Sequence, residues 1–183
     1  NQERNAVIII LERAIEYIHS NVKSIIKQRE VGVDTNSFAA AIKSCLRQDP
    51  NVIVVGELDD VETIRTVLHA SEVGYMVIAS CSAPNITQAI DMLANAFPAE
   101  NRKQILSQMA TCLKGAICQT LLPLKNEKGR ILATEVLVSN EIVSTVIRND
   151  ELVKISEIIQ TGAADKMHRM AHSIRNVYQQ GLI

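Results

Sequence analysis

A run of four aliphatic residues, Val52-Ile53-Val54-Val55, stands between the helix-stopping pair Asp49-Pro50 and the dipeptide Gly56-Glu57, and no other stretch restricts the fold as much. Four consecutive β-favouring side chains bounded by turn residues are expected in a strand covered on both faces, as in parallel sheets. Such a strand delivers Glu57 to its C-terminal tip, where open α/β sheets bind their ligands. A carboxylate there orients water or a metal in phosphoryl transfer, or it is an ordinary acidic residue at a helix N-terminus. The segment by itself leaves both open.

The surrounding sequence alternates as a parallel sheet requires. The run Ala6 to Leu11 predicts a strand ending at Glu12, followed by an edge hairpin with Asn21 near its turn and a second strand from Val22 to Gln28. Thr35 or Asn36 is expected to cap a helix whose buried stripe is Phe38, Ala41, Ile42, Cys45 and Leu46, and Asp49-Pro50 ends it. Asp59-x-x-Glu62 resembles a capping box for a helix that runs to about Ser71 and closes at Gly74; Tyr75 to Ser80 follows as another buried strand. This order implies right-handed βαβ units. Helices are expected at about 85–97 and 100–113, then strands at 117–124 and 130–138 flanking the hairpin signal Asn126-Glu127-Lys128-Gly129. From Asn140 onward a helical tail in three pieces is expected, with Gly162 between the second and third.

Composition narrows the function classes. A chain of 183 residues that is 47% hydrophobic can bury one sizeable core with a small helical appendage. The 19 basic and 20 acidic residues nearly cancel, and aromatic residues are only 3%, so a broad nucleic-acid surface with base-stacking platforms is not expected. No apolar run approaches the roughly 18 residues of a membrane span, so a soluble cytoplasmic protein without direct membrane insertion is expected. Cys45, Cys81, Cys112 and Cys118 lie in apolar stretches without metal-knuckle spacing and are expected to be buried thiols. His168 and His172 share an i, i+4 spacing that could grip a metal, although a solvated helix face suits them better. The sequence opens at Asn1 and enters a buried strand almost at once, which is expected of the later part of a longer protein.

Several segments carry a family resemblance: Gln28-Arg29-Glu30-Val31-Gly32 with Asp34-Thr35, Leu46-Arg47-Gln48-Asp49-Pro50, Val54-Val55-Gly56-Glu57, Glu62-Thr63-Ile64, Phe97-Pro98-Ala99-Glu100, Gln119 to Pro123, Gln160-Thr161-Gly162 and Gly181-Leu182-Ile183. In this order they resemble the C-terminal ATPase core of the type IV pilus retraction motors, the PilT-like branch of the secretion ATPases. Arg29-Glu30-Val31 and Phe97-Pro98-Ala99-Glu100 point to the retraction branch over the pilus-assembly branch. The resemblance implies an α/β, three-layer P-loop NTPase (RecA-like) core with a mainly parallel sheet, truncated at its N-terminal side, over residues 1–138. A C-terminal helical bundle would follow at 139–183. It further implies a homo-hexameric ATPase using ATP and Mg2+, acting with the pilus inner-membrane platform and the pilin machinery at the inner face of the cell membrane. Gly56-Glu57 matches the family's atypical Walker B ending, so Glu57 would help hold magnesium and organise the attacking water. Glu12 matches the catalytic glutamate of the acidic box, and Arg13 and Glu16 fall within that box beside the nucleotide. Two carboxylates converging beside a triphosphate can hold a water and a metal in line.

The sequence departs from the family pattern around this site. No Gly-x-x-x-x-Gly-Lys-Ser/Thr occurs, so the cradle for the β and γ phosphates is missing. Where the acidic box usually reads Glu-Asp-Pro-Ile-Glu, this chain has Glu12-Arg13-Ala14-Ile15-Glu16; Arg13 could bridge to an acidic neighbour or, more in keeping with a surface cation, point into solvent. Asp59 replaces a usual arginine, and Tyr75 and Ser82 replace the two histidines of the histidine box. Two functions follow: a motor ATPase fragment that is not competent without its phosphate cradle, or a catalytically degenerate relative that serves as a structural or regulatory ring or partner-binding protein.

Overall fold

Short aliphatic strands separated by amphipathic helices assemble into a four-stranded sheet in the first part of the chain. The computed structural model describes residues 1–125 and 128–183 and divides into two compact units, Asn1–Cys81 and Ser82–Ile183. The first unit holds β1 (Val7–Glu12), β2 (Ile25–Glu30), α1 (Phe38–Cys45), β3 (Val52–Val55), α2 (Val61–Glu72) and β4 (Met76–Ala79). All pairings are parallel, in the order β2-β1-β3-β4.

The expected hairpin after β1 does not form: β2 runs parallel to β1, in register from Val7 with Ile25 to Glu12 with Glu30. The intervening segment 13–24 is about the dozen residues that a parallel return needs, too long for a tight antiparallel turn. Asn21 serves that return, its Oδ1 accepting from the Ile26 amide at 2.7 Å. The strand at Val52–Val55 and the stop at Asp49-Pro50 fall where expected, with Asp49 in the left-handed region at φ 50°. Ser37 caps α1, accepting from the Ala40 amide at 3.1 Å, in place of Thr35 or Asn36. Asp60 caps α2, accepting from the Thr63 amide at 2.8 Å, one residue beyond the expected Asp59. In both cases the cap is the residue directly before the first helical position.

Ile9, Leu11, Ile53 and Val55 meet Phe38, Ala41, Ile42 and Cys45 of α1 and Val67 and Ala70 of α2 in one core. The two crossovers, β2 to β3 and β3 to β4, step across the sheet in the same direction, and crossovers of the same hand then place both helices on the same face. β3 is therefore covered on one face, with Ile53 and Val55 buried and Val52 and Val54 only half-buried, rather than on both. β4 is an edge strand, not a buried one: Met76 and Ile78 are 51% and 52% exposed.

The second unit contains α3 (Ile86–Asn95), α4 (Arg102–Cys112), the antiparallel pair β5 (Gly115–Pro123) and β6 (Arg130–Val138), then α5 (Glu141–Arg148), α6 (Ile155–Thr161) and α7 (Met170–Gln179). The hairpin forms as expected from the pattern of its strands; Asn126 and Glu127 of its turn signal lie outside the described residues. The division expected at 138/139 falls inside this unit, because the helices that follow β6 share a core with those that precede it: Ile105, Leu106 and Met109 are buried, as are Val143, Ile147 and Ile155. Gly162 ends α6 where expected, and a Cβ there would lie 2.9 Å from the Ile158 carbonyl oxygen. His168 precedes α7 instead of sharing its face with His172: it bridges to Val136 of β6, with Nε2 2.9 Å from Thr134 Oγ1. Cys45 is buried, and burial raises its thiol pKa, whereas Cys81, Cys112 and Cys118 are half-buried.

Candidate functional site

β1 and β3 are neighbours, with Leu11 opposite Val55, so the residues that follow emerge side by side at the C-terminal edge of the sheet. Those residues are Glu12 and Gly56-Glu57. The Gly56 amide continues the ladder by donating to the Leu11 carbonyl at 2.8 Å. A Cβ on Gly56 would lie 3.1 Å from that carbonyl oxygen and 3.3 Å from Glu12 Cα, so a side chain there would wedge the two tips apart. Gly56 thus acts through its backbone. On the other side the Gly56 carbonyl accepts from the Ser80 hydroxyl, and the Leu58 amide donates to the Ser80 carbonyl at 2.9 Å, which ties the β3 tip to the end of β4.

Arg13, although more than half exposed, takes the bridging course rather than a free one. Its Nε donates to Glu57 Oε2 at 3.1 Å, and its Nη2 donates to the Asp59 carboxylate. The guanidinium carbon lies 6.0 Å from the centroid of the Phe38 ring. The bond to Glu57, followed by the charge of Asp59, raises the Arg13 pKa above its already high ordinary value. Asp59 is therefore occupied by a cation, not bare. Next to it, burial works to raise the Asp60 carboxyl, but the hydrogen bonds from Thr63 and the Glu62 amide outweigh it and hold the pKa below the ordinary range.

Glu12 is half-buried and held from the opposite flank, its Oε2 accepting from Gln28 Nε2 at 3.1 Å. The same Gln28 amide donates to the Tyr17 carbonyl at 2.7 Å and accepts from the His19 amide at 2.8 Å, so it pins the return segment to the carboxylate. Glu30 Oε2 accepts from the Ile15 amide at 3.1 Å in the same way. Glu16 is exposed and joins none of these bonds. Arg13 and Glu57 are thus bonded to each other, Glu12 lies beside Gly56 with its carboxylate on Gln28, and Glu16 stays outside. Gln28 and the pairing of Asp59 with Arg13 are additions that sequence reasoning missed; a parallel β2, which places Gln28 beside Ile10, is the signal that would have pointed to Gln28.

Tyr75 lies at the other end of the sheet. The register of Val52 with Met76 puts Tyr75 before β4, and its hydroxyl donates to the Leu46 carbonyl at 3.3 Å. Tyr75 is accordingly a packing residue at that end of the sheet and not a neighbour of Glu57. Among the described residues, no group of three or more His, Cys, Asp and Glu is arranged to hold a metal. Two open clefts of about 470 and 600 Å3 are lined by residues between Ala99 and Asn176, and neither includes a residue of the strand tips. Among the described residues, no helix is long and apolar enough to cross a membrane.

Residues 1–126 match the family model described as type II/IV secretion system protein. The chain is 37% identical over 183 residues to a twitching motility protein of Neisseria gonorrhoeae, covering all of this chain and 49% of that protein. It is 35% identical over 176 residues to the type IV pilus retraction ATPase PilT of Pseudomonas aeruginosa, covering 96% of this chain and 51% of that one. The fold superposes with a TM-score of 0.89 on a crystal structure of the pilus retraction motor PilT with bound ADP, at 37% identity, over all of this chain and 51% of that one. The mainly parallel sheet with its helices is shared with that structure. The chain spans about half the length of the relatives it matches.

Proposed function

The chain belongs to the type II/IV secretion system protein family, and on that premise we propose that it is a portion of an ATP-hydrolysing motor that retracts type IV pili. The observation that carries this proposal is the side-by-side placement of Glu12 and Glu57 at the tips of adjacent parallel strands, made possible by Gly56. Its nearness in sequence to pilus retraction proteins supports the retraction role. The proposed motor is a ring of six copies at the inner face of the cell membrane, acting on pilin through the pilus platform.

A divalent cation of the magnesium type takes one or two protein carboxylates and shares its remaining positions with water and phosphate oxygens, and Glu57 would offer it the oxygen that Arg13 does not hold. When bound, that cation neutralises charge on the phosphoryl oxygens. Glu57 is the residue assigned to hold it, and Glu12 the residue assigned to orient the attacking water and accept its proton. Gln28 fixes the Glu12 carboxylate from the β2 side by donating to Oε2. The cradle for the β and γ phosphates is not in this sequence, so the proposed nucleotide site draws that part from elsewhere in the motor.

The test is magnesium-dependent ATP hydrolysis by the full-length protein and its Glu57→Gln variant. We expect turnover to fall by about 100-fold or more in the variant, as for removal of a group that acts in the transition state. Equal turnover in the two proteins would discard the hydrolytic reading and favour a partner-binding role.

A further inference from the structure

Arg13 and Asp59 are 46 positions apart in sequence, carry opposite charges, and are bonded to each other. They form a single ion pair that joins the end of β1 to the segment after β3.

The geometry goes further than mutual neutralisation. The guanidinium uses two different edges, Nε toward Glu57 and Nη2 toward Asp59, so the direction of one bond is set by the other. Asp59 is in turn fixed by its place directly before the α2 cap, Asp60, whose carboxylate accepts from the Thr63 amide at 2.8 Å. The side chains of Arg13, Glu57 and Asp59 are 60%, 42% and 38% exposed, and attraction between groups so exposed adds little to stability. What the bracket supplies is orientation: without a cation between them, Glu57 and Asp59 repel one another.

We propose that Arg13 is a positioning residue for Glu57, anchored by Asp59, and that positions 13 and 59 work as one exchangeable charge pair across the tips of β1 and β3. The proposal rests on the assignment of Glu57 to hydrolysis made above.

Two measurements test it. The first needs no turnover: the Arg13 Nε–H resonance in 15N NMR of the protein is expected to be resolved because Nε is bonded to Glu57, and to broaden or shift in Asp59→Asn. A resonance already lost in the unmodified protein would overturn the bracket. The second is ATP hydrolysis by the full-length protein carrying R13D, D59R, R13D/D59R or R13K. Each single reversal should lower kcat by about 10-fold while KM for ATP stays within about 2-fold, the pattern of misorientation rather than lost binding. The double reversal should recover kcat to within about 3-fold of the unmodified protein, as coupled neighbours do. R13K should fall between, because an ammonium has no fixed fork.

A double reversal as slow as the slower single variant would overturn the exchangeable pair. Full kcat in R13D together with an inactive E57Q would overturn the positioning role and leave the assignment of Glu57 standing. Full activity in E57Q would remove that assignment and the positioning role with it. A protein that shows the Arg13 resonance but hydrolyses no ATP would reduce the pair to a surface ion pair.

Discussion

Arg13 and Arg102 each bind two carboxylates, and they do opposite work. Arg102, at the start of α4 in the second unit, is 23% exposed in its side chain. It grips both oxygens of Asp150, at 2.8 and 2.6 Å, reaches Asp91 of α3 at 2.8 Å and donates to Asn95. Those bonds join α3, α4 and the turn after α5, where Asp150 sits in the left-handed region at φ 58°. The bond to Asp150, then that to Asp91, raises the Arg102 pKa further, and in return Arg102 pulls the Asp150 carboxyl below its ordinary range. Arg13, more than half exposed at the strand tips, holds no helices together. The same chemistry is a staple when shielded and a pointer when wet, because water screens the attraction but leaves the direction of the bonds intact.

The largest way to break that contrast is Arg102→Met. It should cost about 2 kcal/mol, from lost charge-assisted bonds to two carboxylates, read as a lower urea midpoint. Its pH dependence sharpens the point. Asp150 has a depressed folded pKa, so its contribution is present above the unfolded value of about 4 and disappears as pH falls through the lower folded value. Arg102→Met should flatten that acid loss; an unchanged acid limb would show that Asp150 does not carry it.

Gly56→Ala should cost less, about 1 kcal/mol, because the Leu11 carbonyl and the Glu12 backbone must yield by tenths of an ångström. Its effect on hydrolysis should exceed its effect on stability, since the added methyl presses on the Glu12 backbone at the β1 tip. Smallest of all, Arg13→Ala should leave the urea midpoint where it was while slowing turnover. A clear shift of that midpoint would erase the distinction between the two arginines.

Several elements were legible because their causes are local. Val52–Val55 announced itself by composition and flanking breakers, Asp49 and Gly74 took the left-handed conformations that end their helices, and Gly162 closed α6. The caps were legible to within two residues, since Thr35, Asn36 and Ser37 are all cap formers and only the position next to Phe38 decides among them. The placement of the candidate residues was legible in part: Glu12 and Gly56-Glu57 stand at the ends of adjacent strands, whereas Glu16 is exposed and outside them. Gln28 went unseen because its role depends on which way β2 runs, and an apolar strand reads alike in both directions.

What the sequence by itself determined is the family, the order of strands and helices, and the delivery of two glutamates to strand ends. These follow from periodicity, breakers and ordered motifs, all read within a few residues of one another. Tertiary structure alone decided that β2 is parallel, that both helices cover one face, that Tyr75 lies far from Glu57 along the sheet, and that Arg13 is met by Asp59. Each of these depends on register between segments distant along the chain. A charge in a sequence carries a sign but no partner; the partner appears only when parallel pairing brings the ends of β1 and β3 together.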